Sequence, residues 1–168
     1  MLHLSFPNIS HKTEFISMIE EWKSFEDTPT SPDTIFYGNT YEEFLERVYS
    51  ELHNPPPGYV PATLFFIMEW SRILGAIHIR HNIDTPFLAK IWGHIGYGIR
   101  PSERNKWHAT EWLRLWLIEA KNLWINQVMI WCYDDNIWSY RTIEKNNGKL
   151  DRYEDYNGKL ARIYTIDL

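Results

Sequence analysis

The sequence predicts an α+β fold in which helices cover both faces of a mixed, mostly antiparallel sheet. The 168 residues, 44% of them hydrophobic, suit one domain with one core. Apolar residues recur at every second position in some segments and with helical spacing in others. This pattern gives the element order β-α-α-β-β-β-α-β-α-β-β. No internal repeat or linker interrupts it, so residues 1–168 are expected to form a single domain.

Two amphipathic helices follow a short first strand, which is predicted at residues 2–6. The first helix spans residues 12–25. The second spans residues 41–52, behind a capping box formed by Thr40 and Glu43. The apolar face of the first helix consists of Phe15, Met18, Ile19 and Trp22.

The middle of the chain predicts three strands and one looser segment. Residues 62–69 and 73–80 are predicted to be the two strands of a hairpin, and residues 81–92 form the looser segment. A third strand is predicted at residues 93–100, and Pro101 ends it.

The strongest helical periodicity in the chain lies at residues 108–123. The continuous apolar run at residues 127–133 predicts a central strand buried on both faces. A short helix at residues 137–145 follows. A hairpin of residues 149–153 and 159–166, joined through an Asn-Gly turn, ends the chain.

Composition argues against several classes of protein. Cys132 is the only cysteine, so no intrachain disulfide can form. The N-terminus lacks the basic and long apolar regions of a signal peptide, and no run approaches the ~18 apolar residues of a membrane span. These features predict a cytoplasmic protein without a membrane partner. The net charge of −5 argues against nucleic-acid binding, which needs a basic face.

One strand–loop–helix junction carries the clearest chemical signal. Arg104 and Lys106 lie in the loop between the strand at residues 93–100 and the strongest helix. A helix N-terminus offers unpaired backbone N–H groups and the positive end of a dipole, which together suit a phosphate. The junction therefore favours a cofactor that contains a pyrophosphate. Many such junctions bind nothing, and that alternative stays open.

The residues of this junction resemble a known signature. The pattern Ile99-x-Pro101-x-x-Arg104-x-x-Trp107-x-Ala109 is similar to the acetyl-CoA signature of the GNAT superfamily of N-acetyltransferases. The signature has a hydrophobic residue and Pro, followed by Arg or Gln, then Gly, then Gly or Ala.

The resemblance extends over about residues 60–166. Residues 93–104, 134–136 and 143–146 are all similar to one bacterial subgroup of predicted acetyltransferases, and residues 62–80 fit the hairpin of that subgroup. It implies the GNAT fold, with acetyl-CoA as co-substrate. It also implies acetyl transfer to a primary amine, on a small molecule or a peptide, by direct attack in a ternary complex.

The resemblance implies a set of cofactor contacts as well. The backbone at Ile99 would pair with the pantetheine arm like an added strand, and the amides of residues 104–110 would hold the pyrophosphate. Asn136 would hydrogen-bond the pantetheine, and Ser139 would lie near the thioester. The implied cofactor residues are Ile99, Arg100, Arg104, Asn105, Lys106, Trp107, His108, Ala109, Thr110, Asn136 and Ser139.

The sequence departs from the family pattern at three positions. Trp107 replaces a Gly whose missing side chain lets the backbone approach phosphate closely. Ile143 stands where many members carry a Tyr that protonates the leaving thiolate, and Tyr140 lies three residues earlier on the same helix. Asn147 replaces the Gly that closes this helix, which is a mild change because Asn tolerates the left-handed conformation.

Acetyl transfer to an amine needs a base and a stabilised oxyanion, but no nucleophilic residue. Cys132 is therefore expected to be a core residue. The candidate bases are His94, Tyr97, Glu69 and Asp134. His94 and Tyr97 lie three positions apart on one strand, so at most one would face the acceptor unless a bulge alters the alternation. The resemblance implies that the acetyl group lies in the gap where this strand splays from the strand at 127–133. A structural role explains His94 equally well, and Asp134 and its neighbour are better explained as caps of the next helix.

The N-terminal third would set acceptor specificity in this fold. Its two helices and residues 27–38 would roof the acceptor cleft. Acidic side chains that would attract an amine, or simply be solvated, are Glu20, Glu21, Glu26, Asp27, Glu42 and Glu43. A homodimer is a further expectation.

The remaining predictions concern metal binding and a rival function. A metal is not expected, because His78 and His81 would face opposite ways and so would not join His94 as ligands. The rival function is an acyl-CoA-binding or partner-binding protein of the same fold without efficient catalysis.

Overall fold

The computed structural model describes residues 2–25, 40–104, 106 and 109–168, and its elements follow the predicted order. The strands are Leu2–Ser5 (β1), Ala62–Glu69 (β2), Arg72–Arg80 (β3), Ile95–Ile99 (β4), Gln127–Tyr133 (β5), Lys149–Tyr156 (β6) and Lys159–Asp167 (β7). The helices are Lys12–Ser24 (α1), Tyr41–His53 (α2), Ala109–Asn122 (α3) and Ile137–Lys145 (α4). The structure thus confirms the α+β class. Residues 26–39, on which the predicted acceptor loop falls, lie outside the described residues.

Hydrogen bonding divides the strands into two sheets, with the orders β1-β2-β3-β4 and β5-β7-β6. β1 pairs antiparallel with β2, and both β5 and β6 pair antiparallel with β7. The prediction of β5 as a central strand is wrong, because β5 lies at the edge of its sheet. Val128 and Met129 are buried on opposite faces of β5, which explains the apolar run without a strand on each side.

The chain divides into two compact units. The first contains Met1–Pro57, Pro61–His78 and Gly96–Lys106, and the second contains Gly58–Val60, Ile79–Ile95 and Trp107–Leu168. The organisation of residues 1–168 as a single domain stays a prediction.

The core of the first unit packs α1 and α2 against β2. The ring of Phe15 stacks on Phe44 at a centroid distance of 4.5 Å and meets Phe66 at 5.5 Å. All four residues of the predicted apolar face of α1 are buried, which confirms the helical periodicity. The capping box of α2 is also confirmed: Glu43 N–H donates to Thr40 Oγ1 at 3.3 Å, and Thr40 N–H donates to Glu43 Oε2 at 2.9 Å.

The second unit joins α3 and α4 to the three-stranded sheet. Trp112 and Trp116 lie on the buried face of α3. Tyr164 of β7 donates its hydroxyl to Glu144 of α4 over 3.0 Å, which fixes α4 on this sheet. The turn between β6 and β7 has positive φ at both central residues, Asn157 and Gly158, which is the hairpin geometry that an Asn-Gly pair favours. None of the helices in the described parts of the chain combines the length and apolar character needed to cross a membrane.

Candidate active site

The backbones of Gly93 and Met129 approach each other closely. Gly93 has φ 60° and ψ −156°, and a Cβ atom at this position would lie 2.2 Å from the carbonyl oxygen of Met129. Both the left-handed φ and the lack of space require glycine here. This contact leads directly into the next residue, His94, whose N–H donates to the same Met129 oxygen at 2.8 Å.

His94 also takes up the backbone N–H of Met129. That N–H donates to Nδ1 of the imidazole at 3.0 Å, and the His94 carbonyl accepts from Arg80 N–H at 2.8 Å. Because both polar groups of Met129 point to His94, the imidazole contacts β5 on the edge opposite β7. His94 therefore fastens the chain just before β4 to the open edge of β5.

The environment of His94 keeps the imidazole neutral. Burial, which leaves 7% of the residue exposed, and then the positive charge of Arg80 lower the pKa of His94 to about 4. With the Nδ1 lone pair bonded to Met129, the neutral ring carries its proton on Nε2. In this form His94 is a donor, which argues for the structural interpretation over the role of general base.

A short π-helix at Leu88–Trp92, which was not predicted, directly precedes Gly93. The guanidinium of Arg152, on β6, donates to the carbonyl oxygens of Ala89 at 2.9 Å and Lys90 at 2.7 Å. Short π-helical turns often occur beside functional sites. No periodic signal marks the segment in the sequence, because its conformation depends on a side chain about 60 residues away.

The basic loop after β4 has a defined conformation in the first unit. Pro101–Glu103 form one 3₁₀ turn, and Arg104 Nε donates to the carbonyl oxygen of Ile99 at 3.1 Å. Lys106, which is exposed, pairs with Glu103 at 3.0 Å. The Arg104 side chain is thus folded back on the end of β4, while the Lys106 ammonium stays near solvent.

Arg100, an expected cofactor residue, is instead occupied by the first unit. Its side chain is 4% exposed and donates to Glu21 at 2.6 Å, to Glu14 at 3.0 Å and to Ser17 at 2.9 Å. Its backbone N–H donates to Leu74 at 2.9 Å. These contacts have a simple reason: the buried guanidinium needs carboxylates, and α1 supplies two of them.

Glu21 and Glu42, predicted to attract an amine, are also bound to partners in this unit. The Glu21 carboxylate accepts from Arg100 and from the Ser102 N–H; these contacts outweigh the burial that would raise its pKa, so the pKa is lowered. Glu42 pairs with Lys12 at 2.8 Å. Glu26 and Asp27 lie outside the described residues.

The start of α3 is fixed by a residue that the sequence analysis missed. The buried Asn146 donates its amide to the carbonyl oxygens of Thr110 at 3.1 Å and Thr142 at 3.0 Å. It therefore ties the first turn of α3, which includes Ala109 and Thr110, to the end of α4. The sequence feature that could have indicated this contact is a polar residue, Asn146, on the inner side of a helix end, because a buried amide needs hydrogen-bond partners.

Asn136 begins α4. Its side chain accepts the Ser139 N–H at 3.1 Å, so Asn136 is the N-cap. The expectation that Asp134 and Asp135 cap this helix is wrong. Asp134 instead forms an ion pair with Arg162 of β7 at 2.6 Å. Asn136 and Ser139, both expected cofactor residues, are thus placed together in the first turn of α4.

Three implied cofactor residues, Asn105, Trp107 and His108, lie outside the described residues. Of the others, Ile99, Arg100, Arg104 and Lys106 belong to the first unit, and those of the α3 and α4 first turns belong to the second.

Tyr140 does not share the surroundings of His94. The guanidinium of Arg162, on β7, lies 4.1 Å from the centroid of the Tyr140 ring. Tyr140 is therefore on the β7 side of β5, whereas His94 meets the opposite edge. Ile143, which replaces the family's Tyr, is fully buried. The structure does not bring the candidate acid and His94 together.

The remaining candidates are placed as follows. Tyr97 is half-buried on β4, and Glu69 is exposed at the end of β2; both belong to the first unit. Cys132 is buried, and burial raises its pKa to about 12, which fits a core residue. Within the described ranges, no group of three or more His, Cys, Asp or Glu side chains is arranged to hold a metal ion.

Comparison with solved structures identifies the fold. The microcin C7 self-immunity acetyltransferase MccE, solved with acetyl-CoA and AMP, matches 99% of this chain and 92% of its own, with a TM-score of 0.72 and 19% identity. An acetyltransferase from Salmonella typhimurium that modifies the N-terminal serine of ribosomal protein L7/L12 matches 99% and 95%, with a TM-score of 0.65 and 20% identity. Mycobacterium smegmatis RimJ, solved with CoA-disulfide, matches 99% and 81%, with a TM-score of 0.72 and 13% identity. The chain therefore has the GNAT fold. No protein-family model and no curated protein matches its sequence.

Proposed function

We propose that the chain is an acetyl-CoA-dependent N-acetyltransferase that acts on a primary amine. The observation that carries this proposal is the likeness over nearly the whole chain to acetyltransferases, which include MccE, solved with acetyl-CoA, and RimJ, solved with CoA-disulfide. A fold alone does not fix a reaction, so the residues must also fit the cofactor.

The residues of the first unit fit the pantetheine and phosphate parts of CoA. β4 is an edge strand, and the backbone of an edge strand can pair with an extended amide chain. The ammonium of Lys106 and the guanidinium of Arg104 follow directly after β4 and supply positive charge. The cofactor's own contribution is an acetyl group activated as a thioester.

The residues of the second unit fit the same cofactor. The first turn of α3 presents backbone N–H groups to a pyrophosphate and is held in place by Asn146. Asn136 keeps its side-chain N–H groups for a carbonyl of the pantetheine, because only its oxygen is needed to cap α4.

In the proposed reaction the neutral amine attacks the thioester carbonyl carbon. A C–N bond forms, the C–S bond breaks, the thiolate of CoA leaves, and one proton is lost from the amine nitrogen. His94 would hold β5 in place rather than take that proton, because its free ring nitrogen already carries one. Tyr97 and Glu69 stay the candidates for the base, directly or through water.

The second candidate function is acyl-CoA binding without efficient catalysis. It is favoured by one observation: the candidate base His94 and the candidate acid Tyr140 are engaged with Met129 and Arg162.

Thiol release separates the two functions. Purified protein is incubated with acetyl-CoA and a panel of amines, including polyamines and peptides with free N-termini, while a thiol reagent reports free CoA. Amine-dependent release supports the acetyltransferase. Saturable binding of acetyl-CoA with no release above the amine-free rate would support the binding protein instead.

A further inference from the structure

Three aromatic side chains meet on one face of the second sheet. Trp131 and Tyr133 on β5 and Tyr156 on β6 form this aromatic corner. The Trp131 ring is nearly perpendicular to Tyr133 (82°, centroids 5.1 Å apart) and to Tyr156 (74°, 5.3 Å). The two tyrosine rings are inclined by only 26°, at 6.3 Å. All three residues are half-buried.

The backbone register explains why these rings share a face. Trp131 and Tyr133 are two residues apart on β5, so their side chains point the same way. Their β7 partners are Ile163 and Ala161, which pair in turn with alternate residues of β6. Helix α4 packs against Tyr164, which lies on the other face of β7. On the face of the corner itself, Trp131 and Tyr156 pack beside the buried residues Ile91 and Ile163, and the ring centroid of Phe87 lies 6.4 Å from that of Tyr156.

The corner already attracts an ammonium group from its own chain. Lys159 Nζ lies 5.4 Å from the centroid of the Tyr133 ring. Burial, then Tyr156 and then the carboxylate of Asp135 raise the pKa of Tyr133, so a negative charge acts on this ring. Ring faces and a nearby carboxylate both stabilise a cation. The carboxylate of Glu154, on β6, is not needed to stabilise a cation here, because Arg152 pairs with it at 3.1 Å.

The spacing of the rings disfavours a flat ligand. A planar ring stacked between two parallel rings needs them roughly 7 Å apart, which is twice a van der Waals contact of about 3.5 Å. The tyrosines are 6.3 Å apart, with Trp131 across them. A compact cation in the corner touches ring faces without entering between them.

We propose that the aromatic corner is a binding site for an ammonium group, and that the ligand displaces Lys159 from it. The assignment of this ammonium group to the amine acceptor rests on the proposed function. The binding of an ammonium group by the corner does not depend on it. A site of this kind favours an acceptor with a second, non-reacting cationic group over a neutral amine.

Calorimetric titration with choline tests the site, with its uncharged isostere 3,3-dimethylbutan-1-ol as the matched ligand. Choline is expected to bind at least several-fold more tightly than the isostere. Tyr133→Leu and Tyr156→Leu should each weaken choline binding by roughly 2- to 30-fold, the range of one cation–π contact, whereas Tyr156→Phe should keep it. Lys159→Met should tighten choline binding, because it removes the internal competitor.

The matched control is Tyr153→Leu. Tyr153 lies on the same strand as Tyr156 but faces Arg162, so its loss should leave choline affinity unchanged. Equal affinity for choline and its isostere, or no choline binding by either the wild-type protein or Lys159→Met, would overturn the proposal. So would adenosine binding more tightly than choline and being lost in Tyr156→Leu, since this would indicate a stacking platform.

Acetyl-CoA affinity measured on the same samples keeps the two proposals distinct. Lost choline binding with intact acetyl-CoA binding removes only the ammonium site. Absent acetyl-CoA binding removes the acetyltransferase and leaves the choline result to stand alone.

Discussion

The Met129 backbone N–H donates to Nδ1 of the His94 imidazole over 3.0 Å, at an edge of β5 that faces no strand of its own sheet. The side chain thus takes the place that a carbonyl of a neighbouring strand would occupy. A buried N–H without a partner would destabilise the fold, so the imidazole is a structural part of this edge.

The hydrogen bond to the neutral His94 imidazole predicts that the free energy of unfolding depends on pH through this side chain. Its pKa is about 4 in the folded chain and near 6.5 when unfolded, so the unfolded state binds more protons between these values. The contribution is therefore complete above about pH 6.5 and is lost as the pH falls towards 4; it amounts to at most about 3 kcal/mol. His94→Asn, which keeps an acceptor oxygen near the position of Nδ1, should unfold in urea with a smaller loss of stability from pH 7 to pH 4.5.

The control for this measurement is His53→Asn, at the exposed end of α2. It should keep the wild-type pH dependence. If His94→Asn showed the wild-type slope as well, the imidazole would not be the titrating group.

Gly93→Ala should destabilise the protein far more than Gly58→Ala. Both glycines have positive φ, of 60° and 87°, so both substitutions cost about 1 kcal/mol in backbone strain. At Gly93 the new Cβ would also lie 2.2 Å from the Met129 oxygen, whereas at Gly58 nothing lies within 4 Å. We expect a loss of at least ~3 kcal/mol for Gly93→Ala from urea midpoints. Equal losses in the two variants would show that the backbone at Gly93 has room to move.

The sequence allowed most of the fold to be predicted, because its signals are local. The period of α1, the capping box at Thr40 and the Asn-Gly turn each involve residues close in the chain, and each is confirmed. The edge position of β5 could not be predicted, since an apolar run records which faces are covered and not which edges are paired.

The candidate site was harder to predict, because its contacts join residues distant in sequence. Arg100 lies in a motif that resembles a cofactor loop, yet its partners on α1 are about 80 residues away. Asn146 and Thr110 are 36 residues apart, and Arg152 and the π-helix about 60. Side-chain direction at such positions depends on tertiary packing, which no short pattern records.

Arg100→Met should strongly reduce stability. The substitution leaves Glu14 and Glu21 without their shared cation in a largely buried position, at a cost of about 3–5 kcal/mol. Arg114→Met is the matched control, because Arg114 pairs with Glu111 on the exposed face of α3 and should change stability little. The comparison is made by thermal and urea unfolding. Similar stability of the two variants would contradict the structural role of Arg100.

Cys132 should be unreactive in the folded protein. Burial raises its pKa to about 12, so almost no thiolate exists at neutral pH. A thiol reagent at pH 8 should label the protein only after unfolding in urea, and Cys132→Ala should retain amine-dependent release of CoA. Rapid labelling of the folded chain, or lost release in a folded Cys132→Ala, would instead indicate a covalent role for this thiol.

The most direct test of the whole account is a calorimetric titration of acetyl-CoA into the wild-type protein and into a variant with both Arg104→Glu and Lys106→Glu. The control carries Arg114→Glu and Lys121→Glu, which make the same change in net charge on the exposed side and end of α3. We expect saturable binding by the wild type and the control with a Kd below about 1 mM, and at least ~10-fold weaker binding by the first variant. No saturable binding by the folded wild-type protein, or equal affinity in all three, would contradict a cofactor site that includes Arg104 and Lys106.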